Sequence, residues 1–226
     1  MQKYSKTILC LANSRKTSGR CIAGRELVNN KLGDWIRPVS ARDSGELSEL
    51  DRRYKNGRHP QVLDIIRIPM LAPNPHQFQA ENHLIDDEYY WTLERQVDWA
   101  GVQNALDGPA PLWINGDSSY SGINDRVSAK NLEQPQGTLR LIKVSDLRIE
   151  VVVEGAEFNN GKRKVRGRFT YGGAQHYLSI TDPQIEAKYF ARANGIFQIG
   201  EAILCISLGE IYNDYAYKLI ASVITA

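Results

Sequence analysis

The chain has 226 residues, 42% hydrophobic and 24% charged, a length for one large domain or two smaller ones and a composition that excludes wholesale disorder. Lys+Arg total 28 and Asp+Glu 26, but the signs are segregated: residues 1–42 carry nine basic and two acidic side chains, residues 43–109 six and twelve, and the rest thirteen and twelve. Basic blocks attract phosphate or acidic surfaces, while the acidic middle argues against non-specific coating of nucleic acid.

In chain order, Thr7–Ala12 is a continuous apolar run, followed by the polar loop Asn13–Gly19. Arg20–Val28 and Trp35–Val39 read as the next strands, with Asn29–Asp34 as their turn. Ser44 is placed to cap a helix through Glu46–Tyr54, closed by Asn56-Gly57. Val62–Met70 is a fourth strand, and His59-Pro60 ahead of it with Pro69 inside it predicts an edge position. Apolar residues at helical spacing from Glu88 to Leu106 predict one or two helices. Gly108-Pro109-Ala110-Pro111 is a break, and Leu112–Ser128 has no assignable structure. A fifth strand falls at Phe78–Leu84 or near Leu112–Ile114. Residues 1–85 thus read as a barrel and 86–135 as a helical and loop insertion or bridge.

Residues 136–226 read as a second barrel. Leu147, Ile149, Val151 and Val153 alternate with Arg148 and Glu150, the period of a half-buried strand. Asn159-Asn160-Gly161 is a hairpin turn, since Asn and Gly tolerate positive φ. Val165, Gly167, Phe169 and Tyr171 then alternate with Arg166, Arg168 and Thr170. After Gly172-Gly173 comes a short strand, His176–Ile180. Asp182-Pro183 is an N-cap and first-turn proline for a helix over Ile185–Arg192, ended by Asn194-Gly195. Ala202–Leu208 and Tyr215–Ile224 finish the chain, joined by Gly209–Asp214. Three strands, a helix and two strands are the order of an OB-fold, a partly open Greek-key barrel. The predicted class is mainly β with some α: two OB-like five-stranded barrels.

The strings Ile8–Gly24, Trp35–Ser40, Leu178–Glu186, Leu204–Tyr212 and Tyr217–Ile224 resemble the bacterial dual OB domain family, across almost the whole chain. The resemblance implies two OB-like barrels and recognition of nucleic acid or nucleotides, often around antiviral defence or mobile-element systems. It implies no catalytic residues and no cofactor.

OB-folds bind oligonucleotides across strands two and three, between the loop joining strands one and two and the loop joining four and five. In the second barrel these places hold Lys162, Arg163, Lys164, Arg166, Arg168 and Tyr171, with Tyr212 and Tyr215 at the other loop. In the first they hold Arg15, Lys16, Arg20, Arg25 and Arg37. A cationic track plus aromatic faces is what single strands require. Against it, Glu210 and Asp214 repel phosphate, and basic hairpins also protect sheet edges.

Enzyme motifs fail. Gly155–Lys162 has five residues between its glycines and Arg163 after the lysine, so it is no phosphate loop. Arg53 and His59 have a ribonuclease-like spacing, but Gly57 and Pro60 break the helix it needs, which leaves His59 a structural role. Asp182 followed by Glu186-Ala187-Lys188 resembles a nuclease pattern, yet Asp182 starts a helix. His76 and His83 lie near Glu81, Asp86 and Asp87 without zinc-like spacing. The three cysteines (Cys10, Cys21, Cys205) are odd in number, far apart and in apolar contexts, so neither a disulfide framework nor a metal site is expected. No run approaches the roughly 18 apolar residues of a membrane helix and no leader opens the chain, so a cytoplasmic location is expected. The preferred function is a non-catalytic nucleic-acid or nucleotide recognition module, acting as a sensor or adaptor. The alternatives are a protein-interaction subunit anchored by Tyr89-Tyr90-Trp91 and Trp99, with a neighbour-encoded effector as partner, and a metal-dependent hydrolase or nuclease built on the Asp, Glu and His residues of 76–126, Asp117 and Asp125 among them.

Overall fold

The computed structural model describes residues 3–132, 137–156 and 160–226. The chain divides after Ala105 into two compact units. Residues 86–105, expected to belong to a bridge, fall with the first unit, and 106–132 fall with the second. The boundary expected at 135/136 and the turn residue Asn159 lie outside the described residues.

The first unit contains β1 (Tyr4–Lys16), β2 (Gly19–Val28), β3 (Lys31–Val39), β4 (Asp64–Pro73), β5 (Asn82–Ile85) and β6 (Thr92–Gln96) in the order β1-β2-β3-β5-β4-β6. β4 also pairs with β1, antiparallel from Tyr4↔Met70 to Leu9↔Ile65, which closes the sheet on itself. β3 runs parallel to β5 through Arg37↔Asn82 and Val39↔Leu84. A meander whose third strand meets the fifth in parallel, and whose fourth returns to the first, is the OB connection. Closure bends β1 at a bulge between Cys10 and Ala12, opposite Gly24, where a Cβ would stand 2.1 Å from the Leu9 carbonyl oxygen. Ile8, Cys10, Ile22, Ile36, Ile66, Ile68 and Trp91 fill the interior.

Three expectations are corrected here. β4 is no edge strand, because β1 lies on one side and β5 and β6 share the other. Pro69 is tolerated because β6 stops pairing at Arg67 and β5 begins at Met70, so its missing N–H falls in the gap between them. The segment 44–54 is not a helix. The Ser44 hydroxyl goes to the Glu46 carboxylate, Gly45 has φ +64°, and Ser48 and Asp51 bond each other's backbone, so side chains satisfy the groups a helix would use. Leu47 and Tyr54 from this segment still enter the core, as a plug between β3 and β4. Finally, the helical part of 88–106 is confined to its end, α1 (Trp99–Val102) and the 3₁₀ turn Gln103–Ala105 that follows it, while Thr92–Gln96 is a strand, β6, whose pairing with β4 overrides the helical spacing.

The second unit contains β7 (Arg126–Ser128), β8 (Leu139–Glu154), β9 (Lys162–Tyr171), β10 (Ala174–Ile180), α2 (Pro183–Phe190), β11 (Gly195–Tyr212) and β12 (Tyr215–Ile224). The order is β10-β9-β8-β11-β12-β7, with β10 parallel to β12 at Ser179↔Leu219 and Ile180↔Ile220. Asp182 caps α2 as expected: Oδ1 accepts from Gln184 and Ile185 N–H at 3.0 and 3.3 Å. Ile185, Tyr189 and Phe190 turn into the barrel core, the position the 44–54 plug holds in the first unit. The last loop is shorter than expected. β11 runs on to Tyr212, and Asn213-Asp214 at φ +48° and +64° make a two-residue hairpin. Each unit carries a sixth strand beyond the five expected. No helix among the described residues is long and apolar enough to cross a membrane.

Candidate functional site

Along β9, Val165 and Phe169 enter the core while Lys162, Lys164, Arg166 and Arg168 take the outer face. Opposite them on β8 stand Glu154, Val152, Glu150 and Arg148; on β10, Tyr177 faces Arg168 and Ser179 faces Arg166. Arg166 is buried, its Nε and Nη2 forked onto the Glu154 carboxylate. Arg168 Nε donates to Glu150 Oε1 at 2.9 Å. Both guanidiniums lie over the Tyr177 ring, 5.3 and 4.2 Å from its centroid. Burial, and then the hydrogen bond to Glu150, push the Tyr177 phenol up, so it stays protonated and donating.

Beside Tyr177 is a groove of about 430 Å³, lined by Tyr120–Ile123 on one side and Val152–Gly155 on the other. Ile123 and Tyr177 exchange backbone bonds of 3.2 and 2.9 Å, which fastens the loop to β10. Tyr120 at the groove's lip is 84% exposed. The face therefore offers lysines at one end, a clamped aromatic at the centre and an exposed aromatic wall, an arrangement fit for phosphate and a planar ring together.

Of the residues nominated from sequence, Lys162 and Lys164 are exposed on this face, and Arg168 is partly so. Arg166 is held below the surface by Glu154. Arg163 points elsewhere: it donates to the Phe190 and Arg192 carbonyls and to Asn194 Oδ1, capping the C-terminal end of α2. Tyr171 leans on the core, and Tyr212 stands exposed at the β11–β12 hairpin. Arg37 is corrected outright. It is 2% exposed and its guanidinium pairs with buried Glu81 at 3.1 Å, inside the first unit. Tyr177, Tyr120 and Arg148 were missed. The register that puts Tyr177 beside Arg168 is set by the β9–β10 hairpin, and Gly172-Gly173 was the one signal that could have located it.

In the first unit Arg15 and Arg20 face each other across the β1–β2 hairpin, which turns at Thr17 with φ +48°. Arg15 is exposed, Lys16 and Arg20 partly so. Arg20 is bound to the plug by reciprocal backbone bonds with Leu47, at 2.9 and 2.8 Å. Thus in each unit the first hairpin is fastened to the element that plugs its own barrel, by the Arg20 backbone in the first and by the Arg163 side chain in the second.

The acids considered for catalysis are engaged in structure. Asp117 takes Arg126 at 2.7 Å, and buried Asp125 accepts from the Ser119 N–H at 2.7 Å and from its hydroxyl. His83 Nδ1 meets the Tyr4 hydroxyl, and Asp86 meets Lys3. Trp91 belongs to the core, while Tyr89 and Tyr90 are exposed under Lys3 and Arg53. Among the described residues no three His, Cys, Asp or Glu side chains are grouped to hold a metal ion.

The family model of the Dual OB-containing domain matches residues 6–223. Among curated proteins and solved structures none matches. The chain belongs to the dual OB-containing domain family.

Proposed function

We propose, with that membership as premise, that the chain is a recognition module for single-stranded nucleic acid or a nucleotide, working as a non-catalytic sensor or adaptor. The observation that supports it is the outer face of β9 and β10, where Lys162, Lys164 and Arg168 run beside the clamped Tyr177 and its groove. Strands two and three are where OB barrels hold oligonucleotides. Backbone phosphate would track the lysines while a base enters the groove between Tyr177 and Tyr120. The defence or mobile-element setting rests on the family resemblance and is part of the same proposal.

The test is fluorescence anisotropy with labelled single-stranded DNA and RNA. The wild-type chain is expected to bind one of them with an affinity that falls as salt rises, and Lys162→Ala with Lys164→Ala to weaken it. Tyr177→Ala is expected to weaken binding without changing the salt slope, since stacking releases no counterions. Absence of binding, or binding indifferent to all three substitutions, overturns the reading.

A further inference from the structure

We propose that the first unit binds a phosphate group at the end of its barrel, where Arg52, Arg20 and His59 converge between the β1–β2 hairpin and the 44–62 segment. Arg52 carries the argument. Its side chain is 7% exposed, and its one ion pair among the described residues is a long one, 3.8 Å to Glu49, whose own side chain is 81% exposed. Its Nε is buried without a hydrogen-bond partner among the described residues. A guanidinium N–H taken out of water and left without a hydrogen bond is costly unless an anion completes it.

The neighbours make the deficit larger. Arg20 is brought to Arg52 by the backbone bridge to Leu47, five residues before Arg52. Gly19 makes the approach possible, because a Cβ there would lie 2.5 Å from the Leu47 carbonyl oxygen. Arg15 shares the hairpin face of Arg20. His59 Nδ1 is buried and has no hydrogen-bond partner among the described residues, and Asn13 on the same hairpin donates to the Pro60 carbonyl at 2.8 Å, which fixes the His59 segment against it. Burial and then Arg20 hold Arg52 below its usual range against the pull of Glu49 and Asp51; burial, then Arg52 and Arg20, do the same to His59, with Glu49 opposing. Cations that depress one another in a sheltered place form an anion site. A tetrahedral phosphate fits best, because it takes guanidinium forks on two edges and accepts from an imidazole on a third.

This goes beyond the β9–β10 face and can fail without it. The readouts are the His59 titration by NMR and the thermal melt of the full chain, in inorganic phosphate against chloride at equal ionic strength. Phosphate is expected to raise the His59 pKa and to raise the melting temperature by several degrees at saturating concentration. Arg52→Gln is expected to melt no lower than wild type without phosphate, and to lose both responses. A purely structural arginine would instead melt lower and leave the His59 response in place. Arg20→Gln, at a partly exposed position, repeats the test should Arg52→Gln not fold. Oligonucleotides with a 5′-phosphate or a 5′-hydroxyl separate the sources: a His59 shift with the first alone marks a terminal phosphate, and a shift with both marks the backbone diester. No phosphate-dependent change in His59 or in the melt overturns the site, whatever the oligonucleotide affinity.

Discussion

His176 shows what one buried side chain does to the second barrel. It is fully buried, stacked on Phe169 at 5.2 Å between ring centroids, and among the described residues neither ring nitrogen has a hydrogen bond of ordinary geometry. Burial first, and then the charge of Lys218, push its pKa down to about 4. The folded ring stays neutral where the unfolded one takes a proton, so the stability tied to it is whole above about pH 6.5 and is lost as pH falls toward 4. The loss is on the order of 3 kcal/mol at the acid end of that window. Urea unfolding at pH 7 and pH 4.5 measures it, and His176→Phe, which keeps the stack, is expected to flatten that limb. Lys218 works over a different window. It is buried, donates to the Ile114 carbonyl at 2.8 Å, and burial holds it down at about 8. The folded chain sheds this proton before the unfolded one, so the stability tied to Lys218 rises from about pH 8 toward 10.5, while the buried Cys10 thiol and the Tyr54 and Tyr177 phenols, all pushed up, work against it at the alkaline end. The rise is expected to vanish in Lys218→Met.

Among the elements, α2 and the hairpin cation that grips it explain both what sequence reading caught and what it missed. Asp182-Pro183 announced the helix, because a cap side chain and an N1 proline are local signals. The strands of the second barrel were legible for the same reason, since alternation from Leu147 to Phe169 follows from one face being buried. The first barrel was harder. Its plug has a helix-like start but is held by Arg42 on Asp51, and by Leu47 on Arg20, a contact invisible until β2 is in place. The site suffered most. Sequence places Arg163, Arg166 and Arg168 together near one hairpin, and only the fold separates them into a helix clamp, a buried fork and a surface cation. That separation is testable. Arg163→Ala removes three hydrogen bonds from the end of α2. It is expected to cost about 1 kcal/mol of stability in thermal or urea melts. Oligonucleotide affinity should change far less than with Lys164→Ala, although both remove one charge from neighbouring positions.

Taken over the whole molecule, the segregated charges of the sequence largely cancel on folding. The basic start and the acidic middle enter the same unit, where Lys3 meets Asp86 and Glu88, Arg37 meets Glu81, and Arg42 meets Asp51. In the second unit Glu150 and Glu154 hold two of the five cations between Lys162 and Arg168, and α2 holds a third. What remains on this outer face is Lys162 and Lys164, with Arg148 exposed on β8 and Arg168 partly exposed. A surface with three or four such cations has a bounded electrostatic reach. Single-stranded nucleic acid gives a log–log salt slope of about −0.7 per phosphate neutralised, hence about −2.1 to −2.8 here. Between 50 and 200 mM salt the affinity is then expected to fall roughly twenty- to fifty-fold, against the roughly 10³-fold or greater loss of proteins that coat duplex DNA. Lys162→Ala with Lys164→Ala should bring the slope to about −0.7 to −1.4, leaving the part of the affinity that Arg148, Arg168 and stacking on Tyr177 supply. A wild-type slope of −4 or steeper would mean that cations now held in ion pairs are released on binding, and that the face described here is not the one that grips the ligand.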